Sequence, residues 1–198
     1  GKRWDEVLNE QVLAPLGMTH TSFKGAPTDR GPLAEAPPSA PMKPFTEGWM
    51  RVAADRNDGY LSAGGGLVST AGDYLRFAQM LLNGGELDGI RLLSPATVRL
   101  MTANHIEGML GGPQPFTGPG YGFGLGLATR LNDGGAFVGG TRGDLNWSGL
   151  NGTTFTIDPE DDLVAIFMAA APSNRGHLRF AFRNIVYGAM RPETTSTN

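Results

Sequence analysis

The residues best suited to chemistry lie in one stretch, 143–158, where a tryptophan, a serine and a glycine precede a second run of alternating residues. Trp147 offers a large apolar face with one N–H donor, and Gly149 lets another group approach closely because it has no side chain. The pattern predicts an edge strand, a tight glycine-bracketed turn and a second strand that runs into a hairpin. The alternative for Trp147 is an ordinary buried packing residue.

Other catalytic and binding chemistries have little support in the sequence. Cysteine is absent, which excludes disulfides, thiolate catalysis and cysteine-type zinc sites. The three histidines, His20, His105 and His177, lack metal-ligand spacing, so we expect neither a metal nor a cofactor. The glycine-rich stretch 64–66 lacks the third glycine of a dinucleotide motif and the lysine of a phosphate loop.

Composition narrows the class of partner. The net charge is −3 and both signs are interspersed, which disfavours nucleic acid and membrane surfaces and favours a small-molecule substrate. No apolar run approaches the roughly 20 residues that span a bilayer, so we expect a soluble protein of the cytoplasm or periplasm, the compartment being left open. The 198 residues can form one domain, and 30 glycines indicate a mixed, turn-rich architecture.

Helices dominate the predicted first half. Apolar spacing predicts a helix over 4–13, and the many prolines of 25–47 predict an irregular loop that covers a site, with a simple linker as the alternative. Thr70 and Ser94 are suitable N-caps for two further helices. We expect Asp73, three residues after Thr70, to act as a carboxylate variant of a capping box.

Strands dominate the predicted second half, and a helix closes it. Alternating or continuous apolar runs predict strands at 121–129, 137–138, 145–150, 153–157 and 163–170. The helix at 175–190 is expected to lie on the sheet through Leu178, Phe182, Ile185 and Val186, followed by a frayed tail at 191–198. This order predicts an α+β fold with an antiparallel sheet flanked by helices.

Four pieces of the chain agree in kind and order with one known family. They are Ala14-Pro-Leu-Gly-Met-Thr-His-Thr-Ser-Phe23, Ser62-Ala-Gly-Gly-Gly-Leu-Val-Ser-Thr-Ala-Gly-Asp-Tyr-Leu-Arg-Phe77, Tyr121-Gly-Phe-Gly-Leu-Gly126, and Trp147-Ser-Gly149 leading into Thr153-Phe-Thr-Ile-Asp-Pro159. Together they resemble the serine β-lactamase-like hydrolases of the class C β-lactamase and family VIII carboxylesterase type. The resemblance implies a β-lactamase/transpeptidase-like fold, incomplete in this chain.

The resemblance also implies three active-site motifs, of which the sequence holds one. The serine of Ser-x-x-Lys attacks the acyl carbon, and the lysine and the tyrosine of Tyr-x-Asn handle its proton, but neither motif occurs here. The near misses at 21–24 and 39–43 have the wrong residue or spacing. We therefore expect 1–198 to be the C-terminal portion of a single hydrolase domain, inactive alone, whose nucleophile lies on an N-terminal companion segment.

The third motif is matched by Trp147, Ser148 and Gly149. By resemblance, the backbone N–H of Leu150 is one oxyanion donor, and the substrate-binding residues are Trp147, Ser148, Gly149 and Asn151. Family members typically carry a lysine where Trp147 stands, so the resemblance implies weaker recognition of anions and a carboxylesterase acting on neutral esters. The alternatives are a β-lactamase or D-alanyl-D-alanine peptidase, with a β-lactam or peptide substrate, and a non-catalytic binding or assembly fragment.

Three tripeptides in the same region match unrelated motifs. Arg142-Gly-Asp144 matches an adhesion sequence, and Asn146-Trp-Ser148 and Asn151-Gly-Thr153 match glycosylation acceptors. Such short patterns arise readily by chance, so we expect none of them to be functional.

Overall fold

Helices come first in the chain, and an antiparallel sheet and one covering helix follow. The computed structural model describes residues 1–23, 33–43, 61–109 and 117–190. Helix α1 (Trp4–Leu8) continues as a π-helical segment (Asn9–Leu13), α2 is Ala71–Leu82, α3 is Pro95–Thr102, and α4 is Arg175–Ala189 after a 3-10 turn at Pro172–Asn174. None of the helices in these ranges is long and apolar enough to cross a membrane.

The strands form a two-stranded hairpin and a five-stranded sheet. The hairpin pairs β1 (Glu86–Leu87) with β2 (Ile90–Arg91). The sheet contains β3 (Tyr121–Phe123), β4 (Ala128–Arg130), β5 (Leu145–Ser148), β6 (Thr154–Asp158) and β7 (Leu163–Phe167). Its strand order is the chain order, and every pair is antiparallel. The predicted α+β class is therefore confirmed.

Helices α2 and α4 cover opposite faces of the sheet. On one face, the ring of Phe155 lies 5.0 Å from that of Tyr74 in α2. On the other face, Phe167, which pairs with Thr154, stacks 5.2 Å from Phe182 in α4. Because neighbouring residues of a strand point to opposite faces, Phe155 and Thr154 assign the two helices to the two sides.

The main hydrophobic core lies between α2 and the sheet. It also takes in the end of the first helix, the following turn and α3, and its least exposed large members are Leu16, Met80 and Ile157. The N-terminal helix is where the sequence predicts it, but its second half widens into a π-helix before Gly17, whose φ of 65° ends it.

Local capping signals predict both α2 and α3 correctly. The Thr70 hydroxyl accepts a hydrogen bond from Asp73 N at 3.2 Å, and Ser94 accepts one from Thr97 N at 3.0 Å. The predicted capping-box role of Asp73 is wrong. Its carboxylate accepts hydrogen bonds from His20 N at 2.6 Å and from the Thr21 hydroxyl at 2.8 Å, so it ties the N-terminal turn to α2 instead.

Two strand predictions are corrected by turns. The predicted strand at 121–129 is a hairpin, because Gly124 N bonds Leu127 O at 2.8 Å and Gly126 adopts a φ of 93°, which favours glycine. The predicted strand at 137–138 is irregular, and Phe137 is 82% exposed. The backbone there is held by Arg130, whose guanidinium donates to Val138 O at 3.0 Å.

One hairpin was missed although its signal is in the sequence. The turn between β1 and β2 is Asp88-Gly89, and both residues have positive φ, 51° and 78°. Asp-Gly is the preferred pair for such a two-residue turn, because its twist matches that of the strands it joins.

Helix α4 lies on the sheet as predicted, but a polar stripe rather than a purely apolar one faces the strands. Ile185, expected on the inner face, is 70% exposed. Arg183 instead reaches the fully buried Asp144, which Arg130 also contacts at 3.5 Å. Tyr187 donates to Asp158 at 2.7 Å. The burial and pairing of Asp144 are incompatible with an exposed adhesion tripeptide at 142–144.

The carboxylate of Asp158 is charged more readily than an ordinary aspartate. Burial raises its pKa, but hydrogen bonds from the Thr141 hydroxyl, Tyr187 and the Thr141 N–H outweigh burial, so that the net pKa is lowered. A lowered folded pKa contributes stability above the unfolded value of about 3.9, and that contribution is lost as pH falls through the folded pKa.

We expect Tyr187→Phe to lower the free energy of unfolding by about 2 kcal/mol at pH 7, because it removes a hydrogen bond to a charged group. The difference between wild type and variant should shrink as pH falls below the unfolded aspartate pKa of about 3.9 and through the lowered folded pKa of Asp158, where its carboxylate becomes protonated. Urea unfolding between pH 2.5 and 7 measures both effects. Tyr74→Phe is the matched control, since within the described residues the Tyr74 hydroxyl makes no hydrogen bond. A pH-independent difference would contradict the role of Asp158.

Candidate active site

The third-motif residues form the end of β5 and the turn into β6. Cross-strand pairing sets Trp147 opposite Phe155 and Ser148 opposite Thr154. Gly149 N then donates to Thr153 O at 2.9 Å, and Gly152 N donates to Gly149 O at 3.2 Å. The predicted tight turn between two strands is therefore present, and it brings the five candidate residues 147–151 together.

The prediction that this strand is a sheet edge is wrong in part. Strand β5 is the third of five, with β4 on one side and β6 on the other. However, β4 pairs only with Leu145 and Asn146. Trp147 and Ser148 continue beyond the end of β4, so the candidate residues keep an edge-like position within a central strand.

Trp147 is not a core side chain. It is 37% exposed, and its ring contacts that of Phe123 at 5.0 Å with an interplanar angle of 59°. Tilted aromatic pairs of this kind restrain a ring beyond the effect of area burial alone. Trp147 therefore presents one restrained, uncharged face at the rim of the sheet, and within this chain it is not buried as the packing alternative requires.

Ser148 is held by its neighbours across the hairpin. Its hydroxyl lies 2.9 Å from the Thr154 hydroxyl, which donates to Trp147 O at 3.2 Å. Since the Thr154 proton is used on that carbonyl, the Ser148 proton is directed at Thr154. None of these partners is a base, so the contacts of Ser148 do not activate it as a nucleophile.

The backbone of Leu150 combines a fixed position with a free donor. Gly149 O accepts hydrogen bonds on one side of it, and Asn151 O accepts from Ala171 N at 2.7 Å on the other. Within the described ranges the Leu150 N–H itself makes no hydrogen bond, and the Leu150 side chain is 42% exposed. An unused donor on a restrained turn is suited to binding a developing negative charge.

The described part of the proline-rich loop lies near this turn. Met42 N donates to the Ser173 hydroxyl at 3.3 Å, and Arg175 donates to Met42 Sδ at 2.9 Å. Residues 173–175 lie two to four positions after Ala171, whose N–H donates to Asn151 O. The cover role of 25–47 stays a prediction, because much of that range lies outside the described residues, as does the 191–198 tail.

Contacts from α4 to the turn were missed in the sequence. Arg179 donates to Gly149 O across 30 positions of the chain. Nothing in the spacing of arginines in a helix indicates which of them reaches a distant carbonyl.

No group of three or more histidine, aspartate or glutamate side chains in the described chain is arranged to hold a metal ion.

Comparison with known proteins identifies the family. A family model described as Beta-lactamase matches residues 1–189. The chain belongs to this family, whose members are β-lactamase-fold serine hydrolases. Protein Rv1367c of Mycobacterium tuberculosis is 34% identical over 170 residues, which cover 82% of this chain and 42% of that protein. A putative D-alanyl-D-alanine carboxypeptidase of Escherichia coli O157:H7 is 28% identical over 192 residues, covering 87% and 41%.

A solved structure agrees with the fold. EstCE1, described as a hydrolase with promiscuous acyltransferase activity, superposes with a TM-score of 0.70 at 25% identity and covers 93% of this chain and 50% of its own. The β-lactamase/transpeptidase-like fold is thereby confirmed. The chain spans about half the length of these relatives, so the activity of a complete protein is a matter for proposal.

The narrow turn yields a stability prediction. A Cβ added at Gly149 would lie 2.4 Å from the Thr153 hydroxyl oxygen, so Thr153 must change its rotamer. We expect Gly149→Ala to cost about 1 kcal/mol, and Thr153→Ala in the same background to recover most of it. Thermal unfolding of the four members of the cycle measures the coupling. Gly134→Ala, where an added Cβ meets nothing within 4 Å, is the control. If the stability changes of Gly149→Ala and Thr153→Ala simply add, the predicted clash between residues 149 and 153 is refuted.

Proposed function

We propose that this chain is part of a serine carboxylesterase that hydrolyses neutral esters through an acyl-serine intermediate. The chain supplies the third motif, one oxyanion donor and, from 25–47, a cover over the site. The nucleophilic serine and its lysine come from a companion segment outside these 198 residues. No cofactor takes part in this scheme.

The observation that carries the proposal is the N–H of Leu150, which makes no hydrogen bond within the described part of the chain. It lies on a turn restrained at Gly149 and Asn151, directly after the motif residues. Donors aimed at a tetrahedral intermediate contribute about 3 kcal/mol each to its stabilisation when they are fixed in advance. Acyl transfer needs such a donor whether the leaving group is an alcohol or an amine.

The preference for neutral esters rests on Trp147. An exposed, restrained aromatic face contacts apolar groups well, but it offers no positive charge to a substrate carboxylate. Ser148 and Asn151 add neutral polar groups at the same rim. EstCE1, which is a hydrolase, supports this class of reaction.

Two other functions have specific support. The likeness to a putative D-alanyl-D-alanine carboxypeptidase favours a peptidase or β-lactamase within the same acyl-enzyme chemistry. The lack of Ser-x-x-Lys and Tyr-x-Asn in the chain favours a non-catalytic binding fragment. The first alternative differs from the proposal in substrate, and the second differs in whether a nucleophile is recruited at all.

Labelling and turnover separate the three functions. The chain alone, and the chain together with the polypeptide encoded upstream of it, are treated with a fluorophosphonate and assayed with p-nitrophenyl esters and a chromogenic cephalosporin. We expect labelling and ester turnover only when the upstream segment is present. Fast cephalosporin turnover without ester turnover would identify a β-lactamase. Absence of labelling in both samples would defeat catalysis.

The role of Trp147 gives a prediction about selectivity. Trp147→Lys in the complete enzyme should raise kcat/KM for an ester bearing a carboxylate, relative to its neutral analogue, by about tenfold, because a charge pair near the surface adds attraction of that order. Trp147→Met is the control, because it removes the ring without adding charge. If the two variants show the same ratio, the electrostatic explanation fails.

A further inference from the structure

The donor and the carbonyl at the candidate oxyanion site belong to one peptide group. The carbonyl of Gly149 and the N–H of Leu150 belong to the same peptide bond, and the described residues contain no cis peptide. A trans peptide is planar, with its C=O and N–H directed oppositely. Any contact that fixes the Gly149 carbonyl therefore also fixes the direction of the Leu150 N–H.

Arg179 makes that contact from the opposite side. Its Nη2 donates to Gly149 O, which also accepts from Gly152 N at 3.2 Å. The guanidinium thus bonds the end of the peptide that points toward α4. The N–H of Leu150 is left on the other end, where the described residues provide no acceptor for it.

The charge of Arg179 has few other partners. Its Nε is buried and has no hydrogen-bond partner among the described residues, and no carboxylate of the described chain pairs with it. Burial, followed by repulsion from Arg175, lowers the pKa of the guanidinium, as expected for a cation without a counter-ion. The Gly149 carbonyl is the main acceptor for this charge.

A charged donor on the carbonyl also changes the electronic character of the donor at the other end. Hydrogen bonds with an ionised partner are about twice as strong as neutral ones, and bonds in series polarise one another. Electron density drawn toward Gly149 O leaves the Leu150 N–H more positive. Arg179 can therefore both aim and strengthen this donor without touching a substrate.

We propose that Arg179 is a positioning residue of the reaction, which orients and polarises the Gly149–Leu150 peptide so that Leu150 N–H stabilises the oxyanion. This inference deepens the proposed function and rests on it. The same guanidinium then has no role in holding a neutral ester before the reaction. Its loss should lower kcat and leave KM nearly unchanged.

The chain offers a matched control one helical turn away. Arg175 lies four residues earlier in α4 and bonds Pro172 O at 2.6 Å and Met42 Sδ rather than the turn. In the complete enzyme, we expect Arg179→Met to lower kcat on a neutral p-nitrophenyl ester about tenfold, with KM changed less than twofold. Arg175→Met should leave kcat within twofold, and any effect of losing its contact with Met42 in the proposed cover loop should fall on KM. Arg179→Lys should retain part of the lost rate, and added guanidinium should partly restore Arg179→Ala.

Inhibitor binding gives a second kinetic readout. A boronic acid that forms a tetrahedral anion on the serine should lose affinity in Arg179→Met by about the same factor as kcat/KM. An equal fall in both Arg variants would indicate a general effect of helix charge and would overturn the proposal. So would a rise in KM confined to anionic esters with kcat unchanged on neutral ones, which would make Arg179 a contact for substrate carboxylates.

A measurement without turnover separates this inference from the proposed function. In NMR spectra of the complete protein, the Leu150 amide proton should shift upfield in Arg179→Met and stay in place in Arg175→Met. If wild type lacks labelling and ester turnover, the carboxylesterase is refuted; the orientation of the peptide by Arg179 then stands or falls on this shift. If wild type is active but neither the Leu150 amide shift nor kcat changes in Arg179→Met, the inference alone is refuted.

Discussion

The rest of the structure depends on one polar stripe of helix α4. Arg179, Arg183 and Tyr187 follow one another at intervals of four residues, so they lie on the same side of the helix. They reach Gly149 O, Asp144 and Asp158 in turn. Asp144 directly precedes β5, Gly149 begins the turn after it, and Asp158 ends β6. One helix face therefore sets how the central hairpin sits against its covering layer.

Such a stripe contributes specificity more clearly than stability. Asp144 is fully buried between Arg183 and Arg130, and burial raises the pKa of its carboxyl while the guanidinium groups favour its charged form. The desolvation cost of buried ions offsets much of their attraction, but removing one partner leaves the other unpaired. A shifted position of α4 would remove one partner from each carboxylate, Arg183 from Asp144 and Tyr187 from Asp158. The apolar contact of Phe167 with Phe182 would tolerate small shifts; the polar contacts would not.

The sequence predicts elements whose signals are local. Thr70 and Ser94 predict where their helices begin, because an N-cap bonds only to residues up to three positions later. The alternation of residues from Thr153 likewise predicts β6. Predictions failed where distant groups compete. Asp73 lies three residues after Thr70, at the capping-box position, but its carboxylate bonds His20 and Thr21, some 50 residues away. The apolar pattern of α4 suggested Ile185 as an inner residue, because arginine and tyrosine are normally read as outward-facing.

The candidate site divides in the same way. Residues 147–151 are contiguous, so their motif can be recognised in the sequence, and the hairpin brings them together as expected. Their support is not contiguous: Phe123 restrains Trp147, Ala171 holds Asn151, and Arg179 bonds Gly149. Every residue except proline has a backbone N–H, so the type of residue at position 150 does not reveal that its N–H is a donor for the site. Its direction is set by the bonds on the far side of its own peptide, so the groups that make Leu150 useful are those that hold the residues around it.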